Sequence, residues 1–212
     1  MEEEIKLKVC GMRDPDNIRE VSQLQPHYMG FIFYALSPRY VGDDFRMPDS
    51  LLPGTSTVGV FVNESTERIL QKVQAFGLDL VQLHGDESPA QCREVKKMGV
   101  GVIKVFSVDD ETDFHVTGSY ADSVDYFLFD TKGKYFGGNA RTFNWEILSR
   151  YDQRIPFFLS GGITPDHIED IKKLKKKYNL QAIDVNSGVE VHPAFKDVQQ
   201  ISAIKKTLNI KQ

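Results

Sequence analysis

The sequence predicts an α/β fold: a single-domain (β/α)8, or TIM, barrel whose eight parallel strands close on themselves over residues 1–212. Three observations carry that expectation. Eight short runs rich in β-branched and aromatic residues alternate with amphipathic stretches, and such alternation builds a parallel sheet. Eight strand–helix units in 212 residues average about 26 residues each, lean for an eight-fold barrel but feasible. No G-x-G-x-x-G follows the first run, and no Pro/Gly/Ser-rich linker or low-complexity segment divides the chain. An open dinucleotide-binding sheet therefore loses support.

The runs span residues 5–9, 28–33, 57–62, 80–83, 101–106, 126–129, 156–159 and 182–185. Each is short and largely apolar, as strands covered on both faces are. After the first, Asp14 offers an N-cap and Pro15 occupies the first helical position, with Ile18, Val21 and Leu24 at helical spacing. After the fourth, Ser88-Pro89-Ala90-Gln91 reads as a capping box in which Ser88 caps the helix and Gln91 reaches back. After the seventh, Thr164-Pro165 opens a helix with Ile168, Ile171, Leu174 and Tyr178 on one face, and Asn179 is placed as its left-handed end. Residues 35–56 carry only a weak helical signal, and residues 107–124 an unclear one.

Composition narrows the function classes. Hydrophobic residues make up 41% and charged residues 26%, which fits a globular chain and excludes disorder, collagen-like repeats or coiled coil as the main architecture. The formal net charge of −4, from 26 basic and 30 acidic residues, lacks the basic excess of a nucleic-acid binder. Two cysteines make no disulfide framework and fit a reducing compartment. No stretch approaches the roughly 18 consecutive apolar residues of a membrane span. The opening Met-Glu-Glu-Glu-Ile-Lys lacks the basic start and apolar stretch of a secretory signal, so the expectation is a cytoplasmic, soluble protein.

A barrel of this kind places chemistry at the C-terminal ends of its strands. Alternation puts Lys6, Lys8 and Cys10 on one face of the first strand and Leu7 and Val9 on the other. Cys10 then sits at the inner rim, either as a nucleophile or general base whose pKa the Lys8 ammonium lowers, or as a small buried cysteine. Cys92 falls mid-helix at a core position. Asp130 closes the sixth run, either as a general acid raised by partial desolvation or as a turn aspartate. His84, after the fourth run, is read as a substrate contact or a loop hydrogen bond. Arg39, in Ser37-Pro38-Arg39-Tyr40, offers a fork for a carboxylate or phosphate, with a surface ion pair as the alternative.

Two loops read as a phosphate site. Ser160-Gly161-Gly162-Ile163 follows the seventh strand and Asn186-Ser187-Gly188-Val189-Glu190 the eighth, where barrels often hold phosphate. Glycines let backbone N–H groups approach an anion closely. Ser187 with Glu190 also fits a capping box. Residues 131–142, with Gly133, Gly137 and Gly138, suit a mobile lid and do not match a P-loop. The lysines 172, 173, 175, 176 and 177 lie opposite an apolar helix face and read as solvated surface. No His/Cys/carboxylate cluster has zinc-ligand spacing, so no metal is implied.

Taken in order, these motifs resemble phosphoribosylanthranilate isomerase, an enzyme of tryptophan biosynthesis. The matching stretches are Lys8-Val9-Cys10-Gly11-Met12, Gly30-Phe31-Ile32-Phe33 through Ser37-Pro38-Arg39-Tyr40-Val41, Val58-Gly59-Val60-Phe61-Val62-Asn63 and Val81-Gln82-Leu83-His84-Gly85. They continue with Asp130, Gly137-Gly138, Phe143-Asn144-Trp145, Ser160-Gly161-Gly162-Ile163 and Asp184-Val185-Asn186-Ser187-Gly188-Val189-Glu190. The resemblance implies a cofactor-free Amadori rearrangement of N-(5′-phosphoribosyl)anthranilate to 1-(o-carboxyphenylamino)-1-deoxyribulose 5-phosphate. It gives Asp130 the role of general acid and Cys10 that of general base. Arg39 would hold the anthranilate carboxylate, and the loops at Gly161-Gly162 and Ser187-Gly188 the phosphate. It calls for a small phosphorylated substrate and no obligatory protein partner.

The chain departs from the family pattern at Asn139-Ala140-Arg141, where Ser or Thr and then Gly are frequent, at Asn144, where Asp is common, and at Arg13, where Thr is common. These bear on the lid and on loop one rather than on the acid or base. Asp184 and Lys8 are expected to pair across the closing strands and so set the positive charge felt by Cys10. Two rival readings are another phosphosugar-processing barrel enzyme and a catalytically silent phosphosugar-binding barrel. Cys10 together with Asp130 argues against both.

Overall fold

In the computed structural model of the chain, eight strands run in sequence order around a closed parallel barrel: β1 (Lys6–Val9), β2 (Tyr28–Ile32), β3 (Ser56–Phe61), β4 (Leu80–Leu83), β5 (Gly101–Val108), β6 (Tyr126–Thr131), β7 (Phe157–Leu159) and β8 (Leu180–Val185). The structure describes residues 4–49, 51–131 and 144–209. All eight predicted runs fall on these strands, and only their ends move. The ladder between β5 and β6 continues through Ser107↔Asp130 and Val108↔Thr131, which lengthens both strands past their apolar stretches. The barrel closes where β1 meets β8, with Lys8 opposite Asp184 and Val9 opposite Val185.

Strand alternation sorts the side chains. Leu7 and Val9 join the large outer core with Phe31, Phe61, Phe127 and Phe129. Inside the barrel, Tyr28, Val58, Leu80, Ile103, Val105, Leu128, Phe158 and Ala182 form an apolar plug. Burying a large apolar side chain stabilises by roughly 1.5–3 kcal/mol, so this plug is a main reason the barrel is filled and not a pore. A smaller cluster of Cys10, Ile32 and Val60 lies nearer the C-terminal ends of the strands.

Among the described residues five α-helices pack outside: α1 (Pro15–Gln23), α2 (Thr66–Phe76), α3 (Pro89–Lys96), α4 (Ile168–Lys175) and α5 (Val198–Leu208). Asp14 caps α1 by accepting from the N–H groups of Asp16 and Asn17, and Ile18 and Val21 face the core, as the sequence predicts. Ser88 caps α3 through Gln91 N, but the Gln91 side chain does not reach back. Its amide instead donates to Glu64 O at 2.7 Å, so half of the predicted capping box is a tie between loops. Asn179 does not end α4 in the left-handed region. The helix stops at Lys175, and Asn179 N donates to Gln153 Oε1 at 2.8 Å. No helix is described in the long β2–β3 connection, where Phe45, Met47 and Leu51 pack on the core. The unclear 107–124 segment holds a 3₁₀ helix (Phe114–Tyr120). A second 3₁₀ helix (Trp145–Arg150) precedes β7, and a short hairpin of β9 (Glu190–His192) and β10 (Phe195–Lys196) follows β8.

Of the lysines of α4, Lys172 and Lys173 pair one turn away with Glu169 and Asp170, whereas the half-buried Lys175 donates to Leu180 O at 2.9 Å and is not part of a solvated face. Cys92 lies wholly buried in α3, and burial pushes its thiol up to about 11. The predicted lid, including Gly133, Gly137, Gly138 and Asn139-Ala140-Arg141, lies outside the described residues apart from Thr131. Among the described residues no helix is long and apolar enough to cross a membrane.

Candidate active site

A cavity opens at the C-terminal ends of the strands and brings together residues from seven of them, all but β5, or the loops that follow. Its wall includes Cys10 after β1, Arg39 after β2, Gln82 and His84 from β4 and its loop, Asp130 of β6, Gly161 and Gly162 after β7, and Asp184, Asn186 and Ser187 at the end of β8. Of the catalytic, substrate-binding and phosphate-binding residues expected from the sequence, only Gly188 is not part of the wall, and its neighbour Ser187 is.

Cys10 is held by its own backbone, whose N–H donates to Val185 O at 2.9 Å across the seam. A Cβ on Gly30 would lie 2.7 Å from Cys10 Sγ, so glycine on β2 makes room for the thiol. Lys8, fully buried one layer below, donates to Asp184 Oδ2 at 2.8 Å, the pairing expected from strand order. Burial works against the Lys8 charge, but the Asp184 carboxylate and Cys10 outweigh it and hold the ammonium above its ordinary pKa. The Lys8 ammonium by itself would lower the Cys10 thiol. In the structure burial pushes the thiol up, and the opposing pull of Lys8 does not overcome it. The other carboxylate oxygen, Asp184 Oδ1, is buried without a partner among the described residues, as is Gln82 Oε1.

Asp130, 4% exposed, accepts from Thr131 N at 3.0 Å through Oδ1, and its Oδ2 lies 3.5 Å from His84 Nε2. Gln82 Nε2 approaches the other ring nitrogen of His84 at 3.3 Å. His84 thus stands between Gln82 and Asp130, within reach of the acid candidate as well as the cavity.

Arg39 is not the surface ion pair weighed as its alternative. It is 8% exposed, and its fork grips Glu190: Nε donates to Oε1 at 2.8 Å and Nη2 to Oε2 at 2.6 Å. Nη1 has no partner among the described residues. The capping box read into Ser187 and Glu190 does not form. The short 3₁₀ turn Ser187–Val189 has no side-chain cap, because Glu190 is drawn away to Arg39 and to Lys196 Nζ at 2.6 Å. Nothing in the sequence pattern points to Lys196. A lysine in the aperiodic stretch between β8 and α5 looks like any surface residue until the hairpin buries it.

The glycine loops have the geometry their sequences suggest. Gly161 and Gly162 adopt φ of +100° and +62°, where a side chain is strained. A Cβ on Gly161 would also come within 2.9 Å of Thr131 N, and one on Gly188 would collide with the carbonyl of Ile163. The two loops therefore pack backbone to backbone. Among the described residues the Gly161 and Gly162 N–H groups donate to no protein acceptor, which suits an anion.

Chemically, the cavity offers a thiol, a carboxyl group beside an imidazole, a guanidinium and a backbone anion cradle. The profile of the family described as N-(5′-phosphoribosyl)anthranilate (PRA) isomerase matches residues 7–207. The curated N-(5′-phosphoribosyl)anthranilate isomerase of Phocaeicola vulgatus is 49% identical over 191 residues, covering 90% of this chain and 91% of its own. The crystal structure of the Thermotoga maritima phosphoribosyl anthranilate isomerase superposes with a TM-score of 0.83 at 31% identity, over 97% of this chain and 98% of that one. Another solved phosphoribosyl anthranilate isomerase, in complex with reduced 1-(o-carboxyphenylamino)-1-deoxyribulose 5-phosphate, gives 0.80 at 30% identity, over 97% of this chain and all of its own.

Proposed function

Since the chain belongs to the N-(5′-phosphoribosyl)anthranilate isomerase family and carries out the Amadori rearrangement of that substrate in tryptophan biosynthesis, we propose that Asp130 is its general acid and Cys10 its general base. The observation that supports the assignment is that one cavity gathers both groups at its rim, with a guanidinium and the paired glycine loops around them.

Asp130, in its protonated form, gives its proton to the ribose ring oxygen. The bond from that oxygen to C1′ breaks, and the anilino nitrogen lone pair closes to an iminium. The Cys10 thiolate then takes the proton from C2′, and the C2′–H electron pair neutralises the iminium to an enolamine. Transfer of the enol proton and protonation at C1′ give the ketone. A buried thiol is a stronger base once ionised, and the Lys8 ammonium beside it favours the thiolate that the step needs. Arg39 holds the anthranilate carboxylate through Nη1. His84 contacts the substrate next to Asp130. The Gly161-Gly162 and Ser187-Gly188 backbone holds the 5′-phosphate of the small phosphorylated substrate. We place the enzyme in the cytoplasm, a setting in which two free cysteines stay reduced.

General acid–base groups contribute about 10²–10⁴-fold, so Cys10→Ala and Asp130→Asn should each lower kcat by that order while their circular dichroism stays native. The assay follows loss of anthranilate-type fluorescence from freshly generated substrate. Wild-type turnover in either variant would remove that residue from the mechanism.

A further inference from the structure

Glu190 poses a difficulty for the reading of Arg39 as the carboxylate holder, on which the following inference rests. A carboxylate 2.6 Å from the Arg39 guanidinium would cancel the charge meant for the substrate. The hairpin after β8 supplies the correction. Glu190 Oε1 accepts not only from Arg39 Nε but from Lys196 Nζ at 2.6 Å and Ala194 N at 3.1 Å. Two cations thus share one carboxylate, and the triad keeps one positive charge.

We propose that Lys196 is a positioning residue for substrate recognition: from beneath the cavity, which it does not line, it neutralises Glu190 so that Arg39 presents an uncancelled positive charge to the substrate's carboxylate. Three observations bear on this. Lys196 is 1% exposed, and its ammonium is spent within the site, on Glu190 and on Asn186 Oδ1 at 2.6 Å, Asn186 being part of the cavity wall. Its backbone is anchored independently: Asn17 of α1 accepts from Lys196 N at 2.7 Å and donates to Lys196 O at 2.9 Å. The hairpin therefore does not need the ammonium to dock. Finally, Gly11 packs closely against the cluster, since a Cβ there would lie 2.8 Å from both Arg39 Cδ and Asn186 Oδ1. That side of Arg39 has no room for another side chain.

The charged and titratable groups facing Lys196 are Glu190 of β9, Arg39 of the β2–β3 connection and Cys10 at the end of β1; Asn17 and Asn186 are neutral. Asp197 next to it turns away to cap α5. Burial holds the Lys196 ammonium down at about 8 despite Glu190. Below that pH the triad is +1, and above it the triad is neutral, so affinity for a carboxylate ligand should fall as pH rises through that value.

The test measures the dissociation constants of reduced 1-(o-carboxyphenylamino)-1-deoxyribulose 5-phosphate and of its counterpart lacking the ring carboxyl. The proteins are wild type, Lys196→Met, Lys196→Arg and Arg39→Ala, compared one unit either side of that pH. Lys196→Met should weaken the carboxylate ligand about tenfold, the loss that one charge-assisted contact gives, and should remove the pH dependence. Lys196→Arg should restore tight binding and keep it at the higher pH, which separates Lys196 from the titration of Cys10. The carboxyl-free ligand should respond to none of these changes. If Arg39→Ala discriminates the two ligands and Lys196→Met does not, the inference fails and the Arg39 assignment stands. If Arg39→Ala weakens both ligands equally, the Arg39 assignment fails and the inference with it. Should Lys196→Met not fold, the wild-type and Lys196→Arg pH profiles decide: identical profiles overturn the proposal.

Discussion

Cys10 is held between two pulls. Burial raises its pKa, Lys8 lowers it, and Asp184 raises it again by offsetting Lys8. Replacing Asp184 by Asn removes the one negative charge in that set and leaves the Lys8 ammonium uncompensated two residues from the thiol. The Cys10 pKa should fall, which ultraviolet titration of the thiolate in Asp184→Asn, with Cys92→Ala as background, reads directly; an unchanged pKa would detach Asp184 from the thiol. Lys8, Cys10 and Asp184 were legible in the sequence because period-two alternation and strand order need no knowledge of loops. Glu190 and Lys196 were not. Glu190 meets Arg39 across 151 residues, and that contact depends on a hairpin whose strands are only three and two residues long. Local pattern offered Glu190 a nearer role with Ser187, and the tertiary ion pair won, because a carboxylate gains more from two cations than from one neutral N–H group.

At the scale of elements, what was readable follows from where the chain writes its own stop and start signals. Asp14-Pro15 and Ser88-Pro89 each open a helix, with Asp14 and Ser88 capping it through their side chains. Asp14 serves two backbone N–H groups at 3.0 and 2.9 Å, so Asp14→Ala should cost about 1 kcal/mol, measured as a shift in urea midpoint without a change in slope. The strands were equally plain, since a strand buried on both faces is a short apolar run whatever surrounds it. The connections after β2 and β5 were not, because a barrel asks only that the chain return to the next strand. Phe114 and Tyr120 cover the sheet from a 3₁₀ helix, their rings against Phe129 and Phe106, as well as an α-helix would. Once aromatic packing meets that need, nothing in the sequence has to spell a 3.6-residue period.

For the whole molecule the apolar plug sets stability. Phe158 is fully buried at its centre, with Tyr28 and Tyr126 at ring distances of 5.1 and 5.2 Å. Phe158→Ala should cost roughly 3–5 kcal/mol and lower the melting temperature by about 10 °C in calorimetry, with the cavity at the opposite end of the strands still binding ligand in the folded fraction.

The seam between β1 and β8 has a further consequence, and it concerns time. Lys8 and its carboxylate stand 176 residues apart in the chain, and Cys10 leans on Val185 for its backbone hydrogen bond. During synthesis Cys10 leaves the ribosome well before the strand that completes its electrostatic setting. Until β8 is made, the thiol sits at an open edge with neither lysine anchored beside it. A nascent chain therefore carries an ordinary cysteine, and the base proposed for the reaction acquires its setting only when β8 docks on β1.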